Sequence, residues 1–70
     1  MIDQDELDRR FTYHLPKDGQ PERYAEIRKE ARILADTLVD LTPPTREQSI
    51  AMTKLEECVM WANAAIARRE

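Results

Sequence analysis

Apolar residues recur at helical spacing along two long stretches of the chain, and neither stretch contains glycine or proline beyond its first turn. In residues 21–41 the steps are three and four, and the apolar series is Tyr24, Ile27, Ala31, Leu34, Leu38 and Leu41. In residues 46–68 the same steps give the series Met52, Leu55, Val59, Ala62 and Ile66. Such steps place side chains on one face of an α-helix. The pattern therefore predicts two long helices that pack along these two series, which we call the seams.

The residues around the two long helices are typical of helix ends. Two consecutive prolines in the sequence TPPT cannot continue the first long helix. Thr45 and Gln48 have the spacing of a capping box at the start of the second, and Pro21 suits the first turn of the first. A short helix is expected from about Gln4 to Arg10. The chain is thus predicted to be one all-α domain with an antiparallel helical hairpin, ordered as arm 1–10, loop 11–20, helix 21–41, turn 42–45 and helix 46–68.

The predicted hairpin has more apolar surface than its own seams cover. Ile33 and Val39 lie outside the seam of the first long helix. A domain of 70 residues buries little surface, and a single cysteine excludes an intramolecular disulfide. We therefore expect the hairpins to pack on other copies of the chain. Within this arrangement we expect Cys58 to be a buried structural residue and Trp61 to fill the core or an interface.

The charge pattern limits the possible partners. The net charge of −3 argues against polymeric DNA or RNA, although residues 9–32 carry seven bases against four acids. No apolar run approaches the ~20 residues of a membrane span, so no membrane partner is expected. The acidic N-terminal residues lack the apolar region of a signal peptide. We expect a protein that stays in the cytoplasm.

The sequence offers no recognisable catalytic centre. His14 lies in the loop and Cys58 in the apolar part of the last helix, so they could meet only across subunits. A nucleophile needs a base within hydrogen-bond reach. One histidine and one cysteine give no zinc pattern, and one glycine cannot build a phosphate-binding loop. We expect neither an enzyme nor a cofactor or metal.

The stretch RFTYHLPKDG, residues 10–19, differs from the rest of the chain. It contains two of the four aromatic rings, the only histidine and the only glycine. Phe11 is expected to anchor the loop onto the hairpin. Tyr13 and His14 admit two interpretations. Rings beside cations can bind a nucleotide, by stacking on a base and holding phosphate, but such clusters also occur at protein interfaces. The nearby cations are Lys17, Arg28, Lys29 and Arg32.

Two longer segments carry a resemblance to a known family. RFTYHLPKDGQPERYAEIR and TPPTREQSIAMTKLEECVMWANAAIA resemble the anti-CBASS sponge proteins of bacteriophages and prophages, whose relatives act against Thoeris defence. The resemblance covers residues 10–67. It implies a homohexamer of helical hairpins that sequesters cyclic oligonucleotide messengers without degrading them. Cyclic dinucleotides are expected between paired protomers, and cyclic trinucleotides in separate pockets where three protomers meet.

The resemblance also implies roles for particular residues. By position, Tyr13 corresponds to the tyrosine that stacks on a base and Arg28 to the basic residue that holds phosphate. Some relatives have lysine at the latter place. For the same dinucleotide pocket we expect His14 and Pro16 to shape the wall. The remaining candidates are cations: Lys17 and Lys29 as helpers in this pocket, and Arg68 and Arg69 for the trinucleotide pocket.

Three hypotheses follow for the function. The first is a non-catalytic sponge for cyclic di- and trinucleotides, acting against CBASS signalling in the host bacterial cytoplasm. The second is a structural or adaptor oligomer whose loop docks a protein partner. The third is a hydrolase of cyclic nucleotides, which would have to release a product.

Overall fold

The computed structural model describes residues 2–70, and over that range it contains three α-helices and no strand. The helices are α1, Gln4–Phe11, α2, Gln20–Leu41, and α3, Arg46–Arg69. The all-α class is therefore confirmed, and each helix is one residue longer than the sequence pattern indicated. Met1, the first residue of the predicted arm, lies outside the described residues. Within residues 2–70 no helix is both long and apolar enough to cross a membrane.

Local side-chain and backbone chemistry explains where each helix begins. The Asp3 carboxylate accepts a hydrogen bond from the Glu6 N–H at 2.9 Å and caps α1. Gly19 precedes α2 with a φ of 82°, in the left-handed region that glycine adopts at little cost. Thr45 caps α3, since its hydroxyl oxygen accepts from the Gln48 N–H at 3.2 Å. The Gln48 side chain departs from the predicted capping box, because its amide donates to Thr42.

The seams of α2 and α3 face each other, with two corrections on α2. Leu34 and Leu41 remain 47% and 78% exposed, although the heptad-like spacing predicted them in the seam. Ala35 is half-buried instead. The reason is geometric: an α-helix has 3.6 residues per turn, so the contact face drifts away from a strict 3.5-residue repeat. The half-buried side chains at the contact are Tyr24, Ile27, Ala31, Leu38, Met52, Leu55, Val59, Ala62 and Ile66.

The single chain leaves its apolar side chains accessible. Among residues 2–70 no hydrophobic side chain is fully buried. Cys58 is exposed and Trp61 is 68% exposed, so the expectation of a buried cysteine and of a core tryptophan is wrong for the chain by itself. At ~100° of rotation per residue, Cys58 points about 100° away from the seam residue Val59, and Trp61 points about 160° away from it.

Gln20 is the only buried residue in the described part of the chain, with 3% of its surface exposed. Its side-chain oxygen accepts a hydrogen bond from the Lys17 N–H at 3.0 Å. Its amide nitrogen donates to the Ile66 carbonyl and to the Glu70 carboxylate, each at 3.2 Å. Ile66 lies in the last turn of α3, where carbonyls lack partners within the helix. One side chain therefore joins the loop, the start of α2 and the end of α3.

We predict that Gln20→Ala lowers the free energy of unfolding by about 1–3 kcal/mol, because it leaves the Lys17 N–H and the Ile66 carbonyl without their partner. Chemical denaturation followed by circular dichroism measures the change. Gln4→Ala is the matched control, since Gln4 is an exposed glutamine on α1. Equal stability of the two variants would contradict the central role of Gln20.

Candidate functional site

The loop between α1 and α2, residues 12–19, is held to the helices by polar contacts. The His14 Nε2 atom lies 2.7 Å from the carbonyl oxygen of Arg9. Because a carbonyl only accepts, Nε2 carries the proton, and Nδ1 is the acceptor of the neutral ring. Lys17 is bound twice: its N–H donates to Gln20, and its ammonium group donates to the Glu70 carbonyl. The loop is thus fixed at both ends, while Lys17 is already engaged within the chain.

The rings of this region project away from the hairpin. Phe11 is 82% exposed, Tyr13 80% and Leu15 75%. The expectation that Phe11 anchors the loop is therefore wrong for the single chain, because polar groups do that work instead. Pro16 is also exposed, whereas His14 is half-buried against Arg9. The structure thus presents the Tyr13 ring on a fixed loop with its surface free.

Ion pairs fasten α1 to α3. The Arg69 guanidinium donates to both Glu6 carboxylate oxygens at 2.7 Å, and Arg10 Nε donates to one of them at 2.7 Å. These hydrogen bonds, from Arg69 first and Arg10 second, lower the pKa of Glu6 to about 2. The sequence analysis named Arg69 as a candidate for the trinucleotide pocket. In this chain its guanidinium binds Glu6 instead.

A second group of ion pairs lies beside the first. Arg23 pairs with Glu70, which also accepts from Gln20. These contacts, with Arg23 contributing most, hold the pKa of Glu70 below its usual range. Farther along α2, away from this end, Arg32 pairs with Asp36 at 3.3 Å. Most cations at this end of the hairpin therefore already have a partner.

Four basic side chains within residues 2–70 make no ion pair or hydrogen bond, namely Arg28, Lys29, Arg46 and Arg68. Arg28 lines two grooves between α2 and α3. The larger has a volume of about 580 Å³, and Arg32, Met52, Glu56 and Met60 share it. The other, about 350 Å³, we call the arginine groove, and it is lined by Tyr24, Arg28, Met60, Asn63, Ala64, Ala67 and Arg68.

The structure brings Arg28 and Arg68 to one groove but does not join Arg28 to the loop. Neither groove that Arg28 lines includes Tyr13, His14, Pro16 or Lys17. Lys29 is exposed and lines neither. Sequence reasoning did not select Asn63, whose signal was its position as a polar residue within the apolar segment WANAAIA.

The fold and these grooves define a small helical-hairpin protein. Its exposed rings and its arginines without carboxylate partners are suited to binding an anionic ligand. The chain belongs to the Acb2/Tad1 hairpin-domain family: the family model described as "Acb2/Tad1, hairpin domain" matches residues 3–67. Neither the curated proteins nor the solved structures include a significant match to the chain.

Family membership confirms the resemblance found in the sequence. The family is that of the anti-CBASS and anti-Thoeris sponges, known as non-catalytic binding proteins. At this coarse level, membership implies a role as a cyclic-nucleotide sponge.

The arm formed by α1 is expected to respond to acid through Glu6. A carboxylate whose pKa falls on folding stabilises the folded state above its unfolded pKa and loses that effect as the pH falls through the folded value. We therefore predict that α1 stays docked above about pH 4.5 and is released as the pH approaches 2. Amide chemical shifts of residues 4–11 report the docking.

Glu6→Gln is expected to release α1 already at neutral pH, since it removes the charge that Arg69 and Arg10 bind. Asp5→Asn is the control, because Asp5 lies in the same first turn and makes no ion pair within residues 2–70. If α1 of the Glu6 variant keeps the wild-type shifts, the ion pairs do not hold the arm.

Proposed function

We propose that this protein is a non-catalytic sponge that binds cyclic di- and trinucleotide messengers in the host bacterial cytoplasm and so antagonises CBASS signalling. The observation that carries the proposal is the family match over residues 3–67. Tight binding keeps the free messenger below the concentration that activates the host effector. Such a role requires no catalytic group, and no cofactor or metal is assigned to it.

The exposure of Tyr13 supports a stacking role. Its ring is 80% exposed on a loop whose ends are fixed by hydrogen bonds. A ring held in place loses little entropy when a base stacks on it, and stacking contributes about 1–3 kcal/mol per base. His14 and Pro16 flank this ring in the sequence and are proposed to shape the wall of the pocket.

The unpaired state of Arg28 supports a phosphate-binding role. Its guanidinium has no carboxylate partner within residues 2–70, unlike Arg23, Arg32 and Arg69. A guanidinium binds two oxygens of one phosphate with its planar fork. Lys29, also unpaired, is proposed as a helper. Lys17 is a weaker candidate, because its ammonium group already donates to Glu70.

The pocket is proposed to form between subunits. Because no loop residue lines either groove of Arg28, we propose that Tyr13 of one protomer meets Arg28 of another. Arg69 enters a trinucleotide pocket only if assembly or ligand competes with Glu6 for its guanidinium. A dinucleotide site built from two protomers and a trinucleotide site built from three are both compatible with a homohexamer.

The surface area supports self-assembly. The single chain exposes 5783 Å², whereas a compact protein of 8.2 kDa exposes about 4,500 Å². The excess of about 1,200 Å² exceeds the ~800 Å² that one partner buries in a standard interface. Large exposed apolar side chains lie on both long helices, among them Ile33, Val39, Met60 and Trp61.

We predict that calorimetric titration with cyclic di-AMP, cyclic GMP–AMP and cyclic tri-AMP shows binding by the wild type. Tyr13→Ala and Arg28→Ala should each weaken cyclic dinucleotide binding about ten- to a hundredfold, through the loss of stacking and of a charge-assisted phosphate contact. Tyr13→Phe should keep most affinity, since it keeps the ring. Arg46→Ala is the charge-matched control, an unpaired arginine at the opposite end of the hairpin.

Other outcomes select the alternatives. Absence of binding to every cyclic nucleotide would refute the sponge. It would favour a protein-docking loop, for which the exposed side chains of Phe11, Tyr13 and Leu15 are a specific argument. Recovery of linear products instead of intact ligand after heating the complex would identify a hydrolase.

We predict that native mass spectrometry shows a homohexamer and that Trp61→Glu shifts it toward smaller species, because the charge enters an apolar contact. Trp61 is 68% exposed in the single chain, so the substitution spares the hairpin itself. Trp61→Phe keeps an apolar ring and should keep the assembly. A monomeric wild type at micromolar concentration would contradict the proposal.

A further inference from the structure

The arginine groove contains two positive charges and no acidic residue to balance them. Arg28 reaches it from α2 and Arg68 from α3, and neither makes an ion pair within residues 2–70. By contrast, the neighbouring Arg69 binds Glu6 at 2.7 Å. Two like charges at one concavity repel each other, and a bound anion removes that repulsion. The groove is therefore chemically complementary to a phosphate.

Asn63 adds an independent observation in the same groove. Its side-chain oxygen is buried and has no hydrogen-bond partner among the described residues. A buried acceptor without a donor is unfavourable and rare in folded proteins. Because Asn63 lines the groove, rotation of its amide can bring this buried oxygen to the groove surface, where a ligand N–H can satisfy it. Adenine and cytosine offer such a donor in their exocyclic amine, guanine in its amine and its N1–H, and uracil in its N3–H; the exocyclic amine is the group that projects farthest from the base edge.

The remaining wall suits a flat, partly apolar ligand. Tyr24 and Met60 line the groove together with Ala64, so a base has apolar surface beside the two guanidinium groups. Tyr24 is half-buried, and its hydroxyl is a further donor or acceptor. The groove thus combines phosphate-binding, amine-accepting and apolar groups within about 350 Å³.

We infer that the arginine groove holds one phosphodiester of the messenger and the adjoining amino-bearing base. Arg68 is then a second phosphate ligand beside Arg28, and Asn63 accepts a hydrogen bond from the base. This inference rests on the proposed function and deepens it. It assigns Arg68 to the same site as Arg28, instead of to the separate trinucleotide pocket considered from the sequence.

The first test compares affinities for cyclic di-AMP by calorimetric titration. Arg68→Gln should bind about ten- to a hundredfold more weakly than the wild type, and Arg68→Lys should lie between them, because lysine keeps the charge but not the fork. Arg46→Gln removes the same charge far from the groove and should bind like the wild type. Circular dichroism checks that each variant is folded.

The second test addresses the base. The wild type should bind cyclic di-AMP more tightly than its analogue with purine in place of adenine, because the two ligands differ only in the exocyclic amine. Asn63→Ala should reduce this preference while it leaves the affinity for the purine analogue unchanged. An unchanged preference in the Asn63 variant would remove Asn63 from the site.

The outcomes separate this inference from the proposed function. If the wild type binds but Arg68→Gln binds cyclic di-AMP equally well, the inference fails and the sponge stands. A loss restricted to cyclic tri-AMP also overturns it, because Arg68 then belongs to another pocket. A change in subunit number without a change in affinity makes the groove a contact between copies and overturns it as well. If the wild type binds no cyclic nucleotide, both fail.

Discussion

Gln20 is the first residue of α2, and its amide forms hydrogen bonds to Lys17 in the loop and to Ile66 near the end of α3. In a molecule whose described residues include no fully buried apolar side chain, Gln20 is the one residue that is buried as a whole. The cost of burying it is offset because both ends of the amide are hydrogen-bonded. The position of the loop, and with it that of Tyr13, depends on this constraint.

Ion pairs and hydrogen bonds connect the helices at one end of the molecule, whereas the surface along the two long helices is mainly apolar. The open end of the hairpin is joined by Glu6, Arg69, Arg23 and Glu70, all of which are paired within the chain. The long faces of α2 and α3 carry exposed apolar side chains instead. The charges that join α1, α2 and α3 at the open end are thus paired, whereas the apolar faces of the two long helices are uncovered. Uncovered apolar surface of this kind is typical of an interaction site.

Sequence reasoning succeeded where local periodicity decides structure and was less successful where tertiary contacts decide it. The helix ends could be predicted to within one residue from the steps of three and four, the two prolines and Thr45. The same steps misplaced Leu34 and Leu41, because the drift of the contact face along α2 depends on how the helices cross. The prediction that Phe11 anchors the loop was wrong because α1 is held to α3 by ion pairs. The aromatic character of a residue does not reveal such contacts. For the candidate site, the sequence selected Arg28 and Arg68 but could not show that they share a groove.

Trp61 has a consequence for how this molecule can be observed. It is the only tryptophan of the chain, and it projects from the face of α3 that lies opposite the seam. Its indole is therefore largely in contact with water in the free chain, and its emission responds to the polarity at that face. The protein therefore contains its own fluorophore on an exposed face of α3, and any covering of that face can be followed without a label.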